Sequence, residues 1–364
     1  MKLSCTQENL NKGLNIVSHI ANKNSNLPIL NNVLLKANKN GLVLVTTDLE
    51  IGIKAFIRAK VDEEGEFTVA AKLLNDFVAL LPRENINLEL EDGAIFIKSQ
   101  NQKTNIKGTE AEDFPLIPEI EKENEVEINI LEFKKALGQL IFAASLDNSR
   151  LEINSVNFNF SKDTLTLAAT DSYRLAEKKI KINNQQEKTL IVPLKTIQEL
   201  VRVLSEQEKQ TIKLYFNENQ IMFVFDGVEI ISRVIDGRYP DYQQIVPDKF
   251  ITTAKCSKEK LVPAIKSAAL FCKQGINDVR LSIANNEIVV ASASSGLGEN
   301  VITVAAEISG EANDIVFNYR YLLDGLLNLG SQDLCLKINN NSTPGLIVPD
   351  KNEDYLYLIM PIKQ

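Results

Sequence analysis

One histidine, His19, and four cysteines are all that 364 residues offer of the side chains most used for nucleophilic or metal chemistry. His19 ends an Asn-rich helical stretch with no nucleophile pattern around it, so it reads as a surface residue rather than a general base. Cys5, Cys256, Cys272 and Cys335 show no C-x-x-C spacing. A chain of this length needs no covalent staples, so reduced thiols in a cytoplasmic protein are expected. G-x-G-x-x-G, G-x-x-x-x-G-K-[ST], H-E-x-x-H and G-x-S-x-G are all missing, and Gly296-Leu297-Gly298 is only a loop. No cofactor and no metal are expected. Apolar runs never approach the roughly 18 residues of a membrane span, and Met1-Lys2-Leu3-Ser4-Cys5 lacks the apolar region that a lipoprotein signal places before its cysteine.

What is present suits two or three domains, because the length exceeds one ordinary core and 44% of the residues are hydrophobic. The net charge of −8 argues against a surface that is basic throughout, while leaving room for a local basic face.

The chain repeats itself. An alternating strand, Leu165-Thr166-Leu167-Ala168-Ala169, runs into Thr170-Asp171-Ser172, residues that bond their own backbone and end strands in turns. Tyr173-Arg174-Leu175 follow at once. An earlier copy reads Leu42-Val43-Leu44-Val45-Thr46-Thr47-Asp48-Leu49, with Asp48 and Asp171 123 residues apart. Helical spacing predicts helices over Thr6–Ile20, Lys72–Leu81, Leu131–Ala144, Lys195–Leu204, Ser257–Phe271 and Tyr319–Leu327. Lys72, Lys195 and Asn318 are again 123 apart, as are Leu81, Leu204 and Leu327. Three equivalent repeats of about 123 residues follow, each with two helices and roughly eight strands. The expected domains are 1–123, 124–250 and 251–364. Strands outnumber helices and do not alternate singly with them, so the fold class is α+β, with paired helices packed on antiparallel sheets. The predicted helices hold ten basic and six acidic residues, which leaves them at +4 and the rest of the chain at −12. A phosphate-facing surface would need that segregation, and solvated helix faces with ordinary charge noise would also produce it.

Asp236-Gly237-Arg238-Tyr239-Pro240-Asp241-Tyr242 closes the second repeat, much as Asp113-Phe114-Pro115 closes the first, and Ile359-Met360-Pro361-Ile362 ends the third. Together with Thr-Asp-Ser-Tyr-Arg-Leu, Leu27-Pro28-Ile29-Leu30 and Thr47-Asp48-Leu49-Glu50, these motifs resemble one family over the whole chain: the bacterial DNA sliding clamp, the β subunit of DNA polymerase III. The resemblance implies a non-catalytic processivity subunit, a homodimer closed head to tail into a ring of six domains around duplex DNA. Twelve helices at about 10 Å spacing line a circle of about 120 Å and leave about 28 Å clear, enough for a duplex. It also implies a pocket for short linear motifs of the replicative polymerase, the clamp loader and repair proteins. By motif that pocket comprises Ile153, Thr170, Ser172, Tyr173, Arg174, Leu175, Pro240, Gln244, Ile245, Asn318, Tyr321, Pro344, Leu358, Met360, Pro361 and Ile362. Ser172-Tyr173 and Gln244 depart from the residues common in the family, Gly-His and arginine.

Candidates for sequence-independent contact with phosphates are Lys12, Lys23, Lys72, Lys134, Lys135, Arg150, Lys195, Arg202 and Lys266. The implied dimer junction joins an edge strand carrying Lys103 and Ile106 to a third-repeat surface with Leu270, Phe271 and Glu299. Pro361 cannot donate to a ladder, so the chain is expected to leave its sheet there and expose its apolar side chains. Beside Tyr173, Arg174 is expected on the pocket rim. Two rival readings remain: a repeat scaffold that binds only proteins, and a strand-rich enzyme using Asp171, Tyr173 and Arg174.

Overall fold

Both Thr-Asp phrases fold into the same turn. A computed structural model, which describes residues 1–22, 27–122, 125–184, 186–204, 210–273, 275–351 and 354–363, places each between two antiparallel strands. Thr170 Oγ1 donates to the Arg174 carbonyl at 2.6 Å, and Asp171 Oδ1 accepts from the amides of Tyr173 and Arg174. Thr47 Oγ1 donates to the Ile51 carbonyl at 2.9 Å, and Asp48 Oδ1 accepts from Glu50 and Ile51. Ser172 and Leu49 sit at matching left-handed φ values of 80° and 76°, a strained setting for a branched side chain such as Leu49 that the surrounding hydrogen bonds hold in place.

The helices lie close to their expected places: α1 Gln7–Val17, α2 Ala71–Leu80, α3 Ile130–Gly138, α4 Leu194–Val203, α5 Lys258–Ala269 and α6 Tyr319–Asn328. Thr6 caps α1 by accepting from the Asn9 amide, and Leu10, Leu14 and Val17 fill the core. Two expected helices are shorter than predicted. After α3 the chain tightens at Gly138, with Leu140 bonding back to Leu137, and Ile141–Ala143 form a single 3₁₀ turn. After α1, Ile20–Asn22 do the same. Helix α1 packs against α2 and α5 against α6. Gly325 of α6 meets the ring of Tyr357 so closely that any Cβ there would collide with it.

Packing divides the chain into two compact units: Met1–Ile130 with Arg202–Val234, and Leu131–Val201 with Ile235–Gln364. The middle repeat contributes to both. Unit 1 holds a 13-stranded antiparallel sheet, and unit 2 sheets of nine and four strands. In each unit the strand after the Thr-Asp turn pairs with the last strand of the following repeat. Ile51–Ile57 pairs Val228–Arg233, with Ile51 opposite Ser232. Arg174–Lys181 pairs Tyr355–Ile359, with Leu175 opposite Leu358. Several strands escaped the hydrophobic alternation, among them Arg174–Lys181, Lys188–Pro193, Val228–Arg233 and Gly298–Ala305. The first carries Glu177-Lys178-Lys179 in its middle, where polar residues obscure the period of two. All four cysteines are free. Among the described residues, no helix is long and apolar enough to cross a membrane.

Candidate peptide-binding site and basic surfaces

The expected pocket residues gather in unit 2 around an apolar floor. Leu175 and Leu358 face each other across adjacent strands and pack with Ala168, Ile191, Tyr239, Tyr242 and Leu346. This floor is held by buried polar bonds as well as by apolar contact. Tyr242 donates to Glu177 Oε2 at 2.6 Å, and Tyr239 to the Ala168 carbonyl at 3.3 Å. Burial, and then the charge of Glu177, push the Tyr242 hydroxyl far above its usual range, so it remains a donor. These bonds anchor the segment that carries Pro240, Gln244 and Ile245 to the sheet.

Above the floor, Tyr173 is 62% and Ile245 47% exposed. The Tyr173 ring lies along that of Tyr321, with centroids 6.4 Å apart. Arg174 is placed differently from the expected rim position: its side chain is only 12% exposed. Nε donates to Asp171 Oδ2 at 2.9 Å and Nη1 to Asp324 Oδ2 at 2.5 Å. The guanidinium also lies 4.5 Å from the Tyr321 ring centroid and 5.6 Å from that of Phe142. Burial opposes its charge, yet the hydrogen bond to Asp324 and nearby acidic groups outweigh burial and hold it above its ordinary range. Arg174 is therefore a strut under the two tyrosines, locked by carboxylates that are thereby committed.

The C-terminal tail is more firmly tied than its proline suggested. The last strand ends at Ile359, but the Met360 amide donates to Tyr173 O at 2.9 Å and the Ile362 amide to Val316 O at 2.8 Å. Met360, Pro361 and Ile362 are consequently half-buried rather than exposed. Several remaining members are structural. Asn318 caps α6 by accepting from the Arg320 amide, Thr170 closes its own turn, and Ile153 is buried. Gln244 donates to Asp241 Oδ2 at 2.7 Å, Ser172 is exposed at the turn, and Pro344 precedes the strand Gly345–Pro349. Asp324, Phe142, Tyr239, Tyr242 and Glu177 were not expected as contributors. Tyr239 and Tyr242 left a trace in standing inside the Asp236–Tyr242 motif, and Asp324 in following Tyr321 by one helical turn on the same face.

The basic candidates separate into committed and open side chains. Arg202 donates to the Asn15 and Ile16 carbonyls at 3.0 and 2.8 Å, where it satisfies the end of α1. Lys12 pairs with Asp226 at 2.8 Å, and Arg150 donates to Ser172 Oγ at 3.0 Å. Lys134 and Lys195 are half-buried, whereas Lys72, Lys135 and Lys266 are exposed. Lys23 lies outside the described residues.

Of the junction candidates, Leu270 and Glu299 are exposed and Phe271 is half-buried. Glu299 lies on Gly298–Ala305, an edge strand of the four-stranded sheet. Lys103 is exposed on Lys103–Thr109, which pairs on one side only through Gly108 and Thr109. Ile106 differs from expectation: at 5% exposure its side chain faces its own core, because Ile95 opposite it draws that face inward.

Three family models match in order: the N-terminal, central and C-terminal domains of the DNA polymerase III beta subunit, over residues 1–118, 127–241 and 243–363. The chain belongs to the DNA polymerase III beta subunit family. Similar members include the beta sliding clamps of a Synechocystis species, 32% identical over 100% of this chain and 99% of the relative, and of Staphylococcus epidermidis, 27% identical over 93% and 92%. The solved sliding clamp of Bacillus subtilis superposes with a TM-score of 0.96 at 26% identity, covering 100% of this chain and 99% of that one. The Pseudomonas aeruginosa clamp, solved bound to griselimycin, gives 0.95 at 26% over 100% of both chains. Within the turn, Asp171 and Arg174 are spent on each other and on the turn's own backbone.

Proposed function

We propose that the chain acts as a DNA sliding clamp: a non-catalytic processivity subunit that encircles duplex DNA and tethers the replicative polymerase, the clamp loader and repair proteins. The observation that carries this is the family match along the whole chain, in step with an internal repeat whose first two copies build the same Thr-Asp turn. We take the three repeats, 1–123, 124–250 and 251–364, as the clamp domains, in a cytoplasmic protein.

Ring closure would be head to tail between two copies. Gly298–Ala305 and the Lys103–Lys107 part of its strand both leave a row of backbone groups unpaired, and antiparallel pairing between copies would satisfy them. Leu270, 74% exposed, would add apolar contact. Exposed Lys72, Lys135 and Lys266 suit phosphate contact without base reading, which a sliding protein needs. The Tyr173, Ile245 and Met360 surface suits an extended peptide with Leu or Phe anchors, each gaining roughly 1.5–3 kcal/mol when fully buried. The test is topological. The protein should stay on nicked circular DNA and slide off once the circle is cut, and its solution mass should be that of two chains. Equal loss from both forms of DNA would refute encirclement.

A further inference from the structure

The first repeat carries a counterpart of the candidate peptide groove, entirely within unit 1. The shared Thr-Asp turn is one half of the likeness. The other is the neighbouring strand end: Arg233 N donates to Glu50 O at 3.0 Å where, in unit 2, Met360 N donates to Tyr173 O at 2.9 Å. Pro115–Pro118 crosses this turn 123 residues ahead of Arg238–Asp241.

The two grooves differ in their filling. Gly52 stands opposite Ile231, as Leu175 stands opposite Leu358. A Cβ on Gly52 would come within 2.7 Å of Ile117 Cδ1, so glycine here admits the connecting segment against the sheet. Pro115, Leu116 and Ile117 thereby bridge a trough and leave a cavity on either side, of about 580 Å³ and about 220 Å³. The larger is floored by Leu34, Val43, Val45, Phe56 and Val224. A sheet face turned away from the helices is ordinarily polar, and five apolar side chains there, under one thin segment, mark a surface built to be covered. Leu116 on the bridge is 95% exposed.

Charge at the mouth narrows the occupant. Exposed Arg233 takes the place of apolar Met360 and lines the smaller cavity beside Glu50, whereas Lys36 and Lys54 in the larger one face Glu66, Glu119 and Glu229, so the larger cavity has no surplus of positive charge and the basic end of the trough is at Arg233. Lys54, in the larger one, stands 4.0 Å from Glu229, which already pairs with Lys122 at 2.9 Å. We infer that this trough is a second binding site, for an extended peptide with an aromatic or leucine anchor and an acidic residue at its Arg233 end, a step that rests on unit 2's groove taking peptides. The anchor enters the 580 Å³ cavity, and a carboxylate meets Arg233.

Photo-crosslinking of the full chain tests this with Ac-Asp-Leu-Bpa-NH2, where Bpa is p-benzoylphenylalanine, mapped by peptide mass spectrometry. Saturable crosslinks are expected within 34–56 or 111–119. Arg233→Glu should reduce them at least fivefold, Val43→Trp should do the same by filling the cavity, and Tyr173→Ala should leave them unchanged. Arg233 is exposed, so its variant decides the matter even if Val43→Trp fails to fold. Crosslinks confined to unit 2, insensitivity to Arg233→Glu, or no saturable crosslink would overturn the second site. A separate titration with Gln-Leu-Ser-Leu-Phe checks the unit 2 groove. If Tyr173→Ala leaves that peptide's affinity intact, the reading of unit 2 fails independently of the unit 1 crosslinks.

Discussion

Arg174 and Asp324, 150 residues apart in sequence, meet at 2.5 Å and join the strand after the Thr-Asp turn to helix α6. The guanidinium so held lies 4.5 Å from the centroid of the Tyr321 ring, along which the Tyr173 ring stacks. Arg174→Ala should cost about 1–3 kcal/mol, because it strands two carboxylates that now share one guanidinium. Urea unfolding measures this. Arg174→Lys should recover only part, since an ammonium cannot serve both carboxylates and lie flat on the tyrosine ring. Loss of peptide affinity at unchanged stability would make Arg174 a contact residue instead.

Tyr173→Ala should behave in the opposite way. The ring is mostly exposed and stacks on Tyr321, so the melting temperature should stay within a degree or two, while affinity for a Gln-Leu-x-Leu-Phe peptide falls about tenfold. Fluorescence anisotropy with a labelled peptide reads the change.

Removing Met360 to Gln364 should abolish peptide binding and also destabilise unit 2 by about 1–3 kcal/mol, since two backbone bonds, Met360 to Tyr173 and Ile362 to Val316, go with it. The mass in solution should remain that of the dimer. Peptide binding that survives the truncation would remove the tail from the site.

Burial pushes the Cys5 and Cys256 thiols up to about 12. Both should react slowly with Ellman's reagent at pH 8 in the folded protein and rapidly in denaturant. The raised folded values also set a sign for stability. Their contribution is complete below the unfolded thiol's ordinary range near 9 and is lost as pH rises from there toward 12. Replacing either cysteine by alanine should therefore flatten the alkaline limb of the stability curve.

Charge reversal at Lys72, Lys135 and Lys266 together should weaken DNA association equally for unrelated sequences and, because the dimer carries each change twice, lower the slope of log K against log salt by about 5. Reversing Arg202 should instead damage folding, because its guanidinium holds the end of α1. A variant set that alters preference among DNA sequences would contradict phosphate-only contact.

The amino-acid sequence by itself determined the repeat, the helices and the turns. Lys72, Lys195 and Asn318 stand at equal spacing because each opens or caps a second helix, and helical periodicity is a local property. Thr-Asp turns are legible for the same reason: the Thr170 and Asp171 side chains bond to Ser172, Tyr173 and Arg174, within four residues of themselves. Tertiary structure alone decided which strand lies beside which. An alternating strand such as Ile51–Ile57 declares a buried face, but its backbone offers the same donors and acceptors to any edge, so nothing local selects Val228–Arg233 as its neighbour. Side chains whose partners come from distant strands and helices were misread accordingly. Ile106 turned inward, Arg202 found the carbonyls of α1 187 residues away, and Arg174 became a strut once Asp324 closed on it. In each case the deciding energy, desolvation matched to a partner, exists only after the chain has brought the two groups together.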